Sequence, residues 1–391
     1  MAATTEQKAT LAPNFNLEIQ GIKTKSNLTQ FIERVEYESA EGVIDMLKLS
    51  VLNPDFLFSE QKLFLPGHEL ALWIGYGPEL KWVGRAVIVN SKGNFPLDGM
   101  PTMDIVAYSY SHYMQEVRPD PDPPPDVKPH GGKGEEAKKT NWKQERLSSV
   151  VTMIAAKWML IPDVDPTEEP LSNIYQPKEM SDFDMIKGMA NLTGYYFWVD
   201  GDEKGEWTLH FKHPDNIVQD RKIKLLYSQS GGTLFNFETE ILFKDTFTKI
   251  GLQQILSSGE MVVTSFVADK KLGWPPIATD INEPAEGSLG TAQEVNMYIG
   301  EYSFRVYDGS RFKSLAALEY WGKQWFDKNK RNFVSGAGEC VGIPDLRARQ
   351  THEISGLGTM FDGDWVFNKV RHIFDAGSGY TCEIDARKAI K

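Results

Sequence analysis

The chain has 391 residues, of which 41% are hydrophobic and 25% are charged, and its net charge is −12. This length allows two or three domains with sizeable cores, and the acidic balance argues against a surface that grips nucleic acid. No apolar run approaches the roughly 20 residues of a membrane span, and residues 1–13 lack the apolar core of a signal peptide. We therefore expect a soluble protein that is made in the cytoplasm and does not insert into a membrane.

The first part of the chain has the alternating apolar and polar pattern of half-buried strands. The pattern is clearest from Phe64 to Tyr110, where three such runs are separated by short turn signals. These runs predict an antiparallel meander, and residues 14–116 together predict six or seven strands, enough for one barrel or sandwich. Gly75 and Gly99 stand at strand–turn junctions, so we expect neither to tolerate a β-branched side chain.

A segment rich in proline, and then in glycine and charge, follows at residues 119–140. This composition predicts extended polyproline followed by flexible chain, and hence a loop or linker. A proline-rich docking ligand is the alternative. We expect the segment to be poorly packed, because it has little apolar surface to bury.

Residues 141–222 change to a helical period. Leu147 to Trp158 place their apolar side chains on one helical face. A second helix is predicted from Ser181, with Asp184 at the position where a capping box usually has Glu, to Gly194 at its C-terminal end. Two strands with a turn between them follow. The pattern predicts a small α+β insert made of two helices and a hairpin.

The remaining part, residues 223–391, returns to strand patterns and predicts a second β-rich unit. Residues 256–297 are polar and proline-containing, which predicts one long excursion. The apolar spacing from Leu315 to Trp325 predicts an amphipathic helix. Near the end of the chain, alternation predicts that Trp365 faces away from Val370 on the same strand.

Two pairs of residues are candidates for metal or redox chemistry. His210 and His213 lie three residues apart at the end of a predicted strand, so they are expected to point to opposite faces, and no Cys or third His stands close by. Cys340 and Cys382 could form one disulfide, but two buried thiols are the expectation. We predict no metal site and no cofactor-binding site.

An acidic strand edge is the one candidate for hydrolytic chemistry; it consists of Glu33, Glu36, Glu38 and Glu41. Glycoside hydrolysis needs a separated pair of carboxyl groups with one raised pKa, but a solvated strand face is the commoner meaning of such a pattern. The chain also lacks a P-loop, a G-x-S-x-G elbow, an H-E-x-x-H motif and a dinucleotide fingerprint. We predict no catalytic residues and no enzyme activity.

Three groups of residues, in the two β-rich parts and in the insert, occur in an order and spacing known from one family. They are Leu49 to Pro54, Pro66-Gly67, Ile74 to Tyr76, Val83-Gly84 and Phe95 to Thr102; Ser181 to Ile186, Ala190, Gly194 and Leu209 to Phe211; and Gly356 to Gly358, Asp362 to Trp365, Val370 to His372, Gly379 to Thr381 and Arg387. On these residues the chain resembles the late control protein D family of phage tail proteins. Members form the baseplate hub of contractile tails, and the family is shared with the N-terminal part of type VI secretion spike proteins. Residues 119–139 and 256–297 depart from the family pattern.

The resemblance implies a mainly β protein with an α+β insert, built from two tube-protein-like β-barrel domains and a small helix-helix-hairpin domain. The expected boundaries are 1–118 for the first barrel, 119–140 for the loop or linker, 141–222 for the insert and 223–391 for the second barrel with its long loop and helix. It further implies a homotrimer, because two barrels per chain close a ring of six barrels with three copies.

The implied function is that of a structural baseplate hub in the virion tail, assembled in the host cytoplasm. Such a hub adapts a hexameric tail tube to a trimeric central spike and lines the channel for DNA. The implied partners are a tail spike protein, a tail tube or tube-initiator protein, baseplate wedge proteins and a tape-measure protein, with DNA passing without specific binding. The acidity either lines the channel and repels DNA or only keeps the outer surface soluble.

Two other functions remain open. The first is a hub or spike component of a type VI secretion or tailocin-like injection machine; because the chain stops just after its last barrel, a phage tail with a separate spike is favoured. The second is a cell-wall-degrading tail enzyme. An embedded lysozyme would need its own domain of roughly a hundred residues, and the insert lacks the carboxylate pair, so this function is not expected.

Overall fold

The computed structural model describes most of the two β-rich parts and of the insert. The described residues are 12–24, 26–116, 140–143, 145–167, 173–177, 179–219, 221–241, 249–255, 261–267, 304–308, 320 and 334–389. The proline-rich segment 119–139, the region 268–303 and, apart from Tyr320, the helix expected at 315–325 lie outside these residues. The described part contains no helix that is long and apolar enough to cross a membrane.

The first β unit has seven strands and two short helices. These are β1 (Pro13–Ile19), β2 (Ile22–Lys23), α1 (Ser26–Thr29), β3 (Ile32–Ala40), β4 (Met46–Leu52), α2 (Leu57–Gln61), β5 (Glu69–Tyr76), β6 (Glu79–Asn94) and β7 (Thr102–Tyr108). The strand number and the antiparallel meander of β5, β6 and β7 predicted from the sequence are confirmed. In β4, for example, Leu47 and Leu49 are buried while Lys48 between them is exposed, as period-two alternation requires.

The insert contains both predicted helices and the hairpin. Its elements are β8 (Thr140–Lys143), α3 (Leu147–Lys157), β9 (Ile161–Val164), β10 (Asn173–Gln176), α4 (Asp182–Thr193), β11 (Tyr196–Gly201) and β12 (Trp207–Lys212). The Ser181 hydroxyl accepts a hydrogen bond from the Asp184 amide at 3.1 Å, and Gly194 ends α4 at φ 72°. The sequence did not predict β8, β9 and β10, because strands of four residues are too short to show a period.

The described residues of the second β unit form nine strands. These are β13 (Lys224–Leu226), β14 (Leu234–Ile241), β15 (Lys249–Ile255), β16 (Met261–Val267), β17 (Phe304–Asp308), β18 (Val334–Val341), β19 (Thr351–Ser355), β20 (Gly363–Asp375) and β21 (Gly379–Lys388). The expectation of a single polar excursion at 256–297 was wrong at its start, because β16 lies there and pairs with β15. The expected facing of Val370 was also wrong: a bulge between Phe367 and Lys369 turns Val370 back to the core side, with Trp365.

One large sheet passes through both β units. Its path is β14-β18-β21-β20-β3-β4-β7-β6-β5-β1-β2, with β19 and β13 attached beside β20. The two units meet where β20 pairs antiparallel with β3, from Lys369 opposite Ala40 to Asp375 opposite Arg34. We call this pairing the joint. A single hydrophobic core extends across it, with Val35, Phe367 and Val370 among its fully buried residues.

The two β units repeat the same strand arrangement. In the first unit the hydrogen-bonded order is β3-β4-β7-β6-β5-β1, and in the second it is β14-β18-β21-β20-β19-β13, with the same order along the chain. The bulges coincide as well: one follows Ile32 in β3 and Leu234 in β14, and the other follows Ile88 in β6 and Phe367 in β20. The one difference in direction is that β13 runs parallel to β19, whereas β1 runs antiparallel to β5.

Arg85 fixes the insert to the first β unit. Its guanidinium group donates hydrogen bonds to the carbonyl oxygens of Asp202 and Glu203 in the β11–β12 turn, at 3.1 and 3.2 Å, and to the Glu69 carboxylate at 3.0 Å. The Trp207 indole also donates to Glu69, at 3.3 Å. Arg85 itself is buried, so its guanidinium group is shielded from bulk water, which strengthens its hydrogen bonds to the insert.

Candidate functional site

The histidines considered as metal ligands have different surroundings. His210, on β12, lies between two carboxylates, with Nδ1 2.8 Å from Asp163 and Nε2 2.9 Å from Asp200. His213 follows the strand, and its Nδ1 accepts a hydrogen bond from the Asp215 amide. Among the residues that the structure describes, no group of three or more His, Cys, Asp or Glu side chains is arranged to hold a metal ion.

The acidic strand is not at a sheet edge, because β3 lies between β4 and β20. Three of its four glutamates are partnered by arginines. The Glu36 carboxylate lies 2.6 Å from Arg34 Nε, and the Glu38 carboxylate lies 2.6 Å from Arg371 Nη2. The Glu41 carboxylate lies 3.5 Å from Arg387 Nη1. These three carboxylates are therefore occupied by ion pairs with guanidinium groups.

These ion pairs form a connected network on the water-facing side of the joint. Arg371 bridges Glu38 on β3 and Glu383 on β21, the latter at 2.9 Å. Lys369 lies 3.7 Å from both Glu38 and Asp385. The pairs are partly exposed, so each contributes modestly to stability, but together they connect three neighbouring strands across the two β units.

The charged face as a whole is nearly neutral. The strands β3, β4, β7, β20 and β21 carry six basic and eight acidic residues, which gives 6 − 8 = −2; they are Arg34, Lys48, Lys369, Arg371, Arg387 and Lys388, and Glu33, Glu36, Glu38, Asp104, Asp364, Asp375, Glu383 and Asp385. The acidic excess of the chain is thus not concentrated on this face.

A cleft of about 250 Å³ opens beside the joint, where the two β units and the insert meet. Its walls include Asp45 and Trp82 of the first unit, Trp198 and Asp200 of the insert, and Arg349 just before β19. Arg349 Nη2 lies 3.2 Å from Asp45 Oδ1, and the guanidinium carbon lies 4.9 Å from the centre of the Trp198 ring.

Charge in the cleft is set by burial and by close partners. Burial raises the pKa of Asp45 to about 6, against the opposing effect of Arg349. Burial lowers the pKa of His210, but its hydrogen bond with Asp200 and then that with Asp163 outweigh this and raise the pKa above its ordinary value. Asp200 faces the cleft with 45% of its side chain exposed. Its partial burial tends to raise its pKa, but the hydrogen bond with His210 and the charge of that residue outweigh this and lower the pKa. The cleft thus contains alternating charges that hold three parts of the chain together.

The two cysteines are free thiols in the core. They lie directly opposite each other on β18 and β21, and both are fully buried. The hydrogen bond with Cys382, together with burial, raises the pKa of Cys340. His372 Nδ1 lies 3.3 Å from the Cys382 sulfur but is itself buried, so this cluster is closed to substrates.

Comparison with known proteins identifies the fold. No protein-family model and no curated protein matches the chain. The tail protein from Neisseria meningitidis MC58 is similar with a TM-score of 0.63 at 11% identity, over 96% of this chain and 97% of that one. The 43 kDa tail protein of prophage MuSo2 from Shewanella oneidensis is similar with a TM-score of 0.61 at 10% identity, over 96% and 98%.

A component of the type VI secretion system of E. coli is also similar, with a TM-score of 0.58 at 8% identity, over 96% of this chain and 77% of that one. At such low identity these likenesses show the fold. The chain has the mainly β fold with an α+β insert that it shares with these tail proteins and with the type VI secretion component, as the resemblance in the sequence implied.

Proposed function

We propose that this protein is a structural hub of a phage tail baseplate. In this proposal three copies form a ring that adapts a hexameric tail tube to a trimeric spike and lines the channel for DNA. The single observation that carries the proposal is the sheet that continues through two β units of the same strand order. A chain with two equivalent units can match sixfold symmetry on one side and threefold symmetry on the other.

The two faces of this sheet fit a channel wall. One face packs onto the hydrophobic core, and the other carries the ion-pair network, and the five strands around the joint have a net charge of 6 − 8 = −2. A face whose cations are paired with carboxylates offers few free positive charges to DNA phosphates. This favours passage without binding, by neutralisation rather than by the strong repulsion that an acidic lining would produce.

The proposed partners are a tail spike protein, a tail tube or tube-initiator protein, wedge proteins and a tape-measure protein, all in the virion tail. We propose the domain boundaries 1–118, 119–140, 141–222 and 223–391 for this hub. A hub in a type VI secretion machine is the second candidate, and the likeness to the E. coli secretion component favours it. We propose no enzyme activity, because Glu36 and Glu38 are paired with arginines.

Light scattering tests the ring. The purified chain, mixed with its proposed spike partner, is expected to give the mass of three copies plus the spike. A stable monomer in that mixture contradicts the proposal. Incubation of the same sample with peptidoglycan in a turbidity assay tests the enzyme alternative, and clearing above that of a heat-denatured control would support it.

A further inference from the structure

We propose that a second copy of this chain binds edge to edge along the sheet, with residues 91–96 of one copy pairing antiparallel with residues 236–241 of β14 in the next, so that Lys92 faces Glu240. The inference rests on the proposed hub, and it names the surfaces through which copies join. It follows from the internal repeat, because the joint between β20 and β3 is the same kind of contact, formed within one chain.

The joint provides the template. On one side β20 pairs with β21 along its length, and on the other side its first half pairs with β19 and its second half with β3. Its counterpart β6 likewise pairs with β7 on one side, and its first half pairs with β5. In the described part of the chain, no strand pairs with the second half of β6 on the side of β5.

The other edge belongs to β14. Its counterpart β3 has two neighbours, β4 and β20, whereas β14 pairs with β18 alone among the described strands. Among the described strands of one copy, the second half of β6 therefore has no neighbour equivalent to β3, and β14 has no neighbour equivalent to β20. Unpaired backbone groups at such edges are strong sites for strand addition.

The shared bulges give the register. The bulged residues Val89 and Asn368 correspond, a shift of 368 − 89 = 279, and Glu33 and Phe235 correspond, a shift of 235 − 33 = 202. In the joint, Arg371 is opposite Glu38. Since 371 − 279 = 92 and 38 + 202 = 240, the equivalent pair between copies is Lys92 and Glu240. The pair Lys92–Glu240 thus has the same charges as the pair Arg371–Glu38 in the joint. The side chains of Lys92 and Glu240 are both exposed in the single chain.

Exposed apolar side chains mark the same two edges. Phe95 is 57% exposed, Leu97 is fully exposed, and Phe235 is 52% exposed. The counterpart of Phe95 is Phe374, which packs against Phe15 at 4.7 Å between ring centres. The counterparts of Leu97 and Phe235 are Ala376 and Glu33, and these are joined by a backbone hydrogen bond of 2.9 Å. The proposed contact therefore brings these exposed side chains together at one end.

The contact is head-to-tail, because each copy contributes a different edge. Such contacts close into rings or continue as filaments, and the joint within the chain fixes the angle between successive units. Three copies joined in this way give six units in one sheet-lined circle, as the proposed hub requires.

Mixed disulfide cross-linking tests the pairing. The bond from the Ala376 amide to the Glu33 carbonyl makes odd-numbered positions of β3 the hydrogen-bonded ones, so Glu38 and Arg371 form a non-hydrogen-bonded pair. The Cα atoms of such pairs are about 4.5 Å apart, within disulfide range. A Lys92→Cys chain mixed with a Glu240→Cys chain is expected to form a covalent dimer under copper-phenanthroline, while neither variant alone does so.

Register is tested with Asn94→Cys mixed with Glu240→Cys, a pair displaced by two residues on the same face, which is expected to cross-link several-fold less. The chain with both Lys92→Cys and Glu240→Cys is expected to give a covalent trimer as its largest product. The melting temperatures of all variants are compared with wild type to establish that they fold; the substituted sites are exposed.

Each outcome decides between the two proposals. If wild type is trimeric with its spike but the mixture gives no dimer, the edge pairing is overturned and the hub stands. If wild type stays monomeric with its spike and the mixture gives no dimer, both are overturned. Dimers in either single variant alone, at the yield of the mixture, would indicate a symmetric contact and also overturn the pairing.

Discussion

Asp45 and His210 make the region around the cleft sensitive to pH. Burial raises the folded-state pKa of Asp45 from 3.8 to about 6, so its protonated form favours folding; this contribution is complete below pH 3.8 and is lost as the pH rises through 6. The pKa of His210 is raised too, so its contribution is complete below 6.5 and is lost above that. Asp163 and Asp200 have lowered pKa values, and their contribution is lost in acid below about pH 4.

We therefore expect wild type to lose stability between pH 4 and pH 6.5. The Asp45 part corresponds to about 3 kcal/mol in the free energy of unfolding. Urea denaturation of Asp45→Asn at several pH values is expected to show this decline reduced by most of that amount. Asp104→Asn, at an exposed carboxylate, is the control and is expected to follow wild type. An unchanged pH profile in Asp45→Asn would contradict the assignment.

Gly75 is required by close backbone contact. A Cβ atom there would lie 1.9 Å from the carbonyl oxygen of Glu79, so Gly75→Val is expected to cost about 3 kcal/mol or to prevent folding. Gly188 is exposed in α4 with nothing within 4 Å of a Cβ, and Gly188→Ala is expected to stabilise by up to about 1 kcal/mol. Thermal melting of both variants measures this, and a Gly75→Val chain that melts like wild type would refute it.

At the level of elements, much could be predicted from the sequence, and the exceptions have physical causes. The six longer strands of the first unit and the helices α3 and α4 have a clear period, and α4 also has a capping serine and a terminal glycine. The side of the sheet that Val370 faces was predicted wrongly, because a bulge adds one residue to β20 and reverses the alternation after it. Strands β8, β9 and β10 have four residues each, too few for a period.

The cleft and the joint were not predicted, because their residues are far apart in the chain. Asp45, Trp198 and Arg349 meet only after three units have packed together. The sequence contains one signal of the repeat: Val35-Glu36-Tyr37-Glu38 in β3 and Phe237-Glu238-Thr239-Glu240 in β14 share the order apolar-Glu-x-Glu. Four residues are too few to establish a repeat without the strand order.

Arg85 is expected to control the attachment of the insert as an element. Arg85→Ala removes three hydrogen bonds and leaves Glu69 without its cation, so we expect a loss of about 2–3 kcal/mol. Hydrogen exchange is expected to accelerate in β11 and β12 but not in β20 and β21. Lys81→Ala, which removes an exposed ion pair with Asp345, is the control; equal acceleration in that variant would argue against a specific attachment by Arg85.

At the scale of the whole molecule, the proposed channel wall predicts how charge affects DNA. Asp104→Lys with Asp385→Lys changes the charged face by 2 × 2 = +4 per chain, or 3 × 4 = +12 per trimer. We expect the assembled variant to bind double-stranded DNA with an affinity that falls steeply with salt, while wild type does not bind. Filter binding at several salt concentrations measures this.

The matched control for this charge change carries Glu179→Lys and Glu206→Lys, two exposed positions of the insert, with the same +4 per chain. We expect it to bind DNA weakly or not at all. Equal binding by both variants would mean that general charge, and not this face, governs contact with DNA.

The repeat within one chain also limits the errors that assembly can make. Because each copy brings two β units already joined by β3 and β20, every ring that closes through the proposed edges contains an even number of units. Rings of five or seven units, the nearest mistakes for a sixfold structure, are excluded by parity, and the nearest wrong closures, with four or eight units, require a much larger change of angle at each contact. Half of the contacts are also independent of protein concentration, because they lie inside the chain.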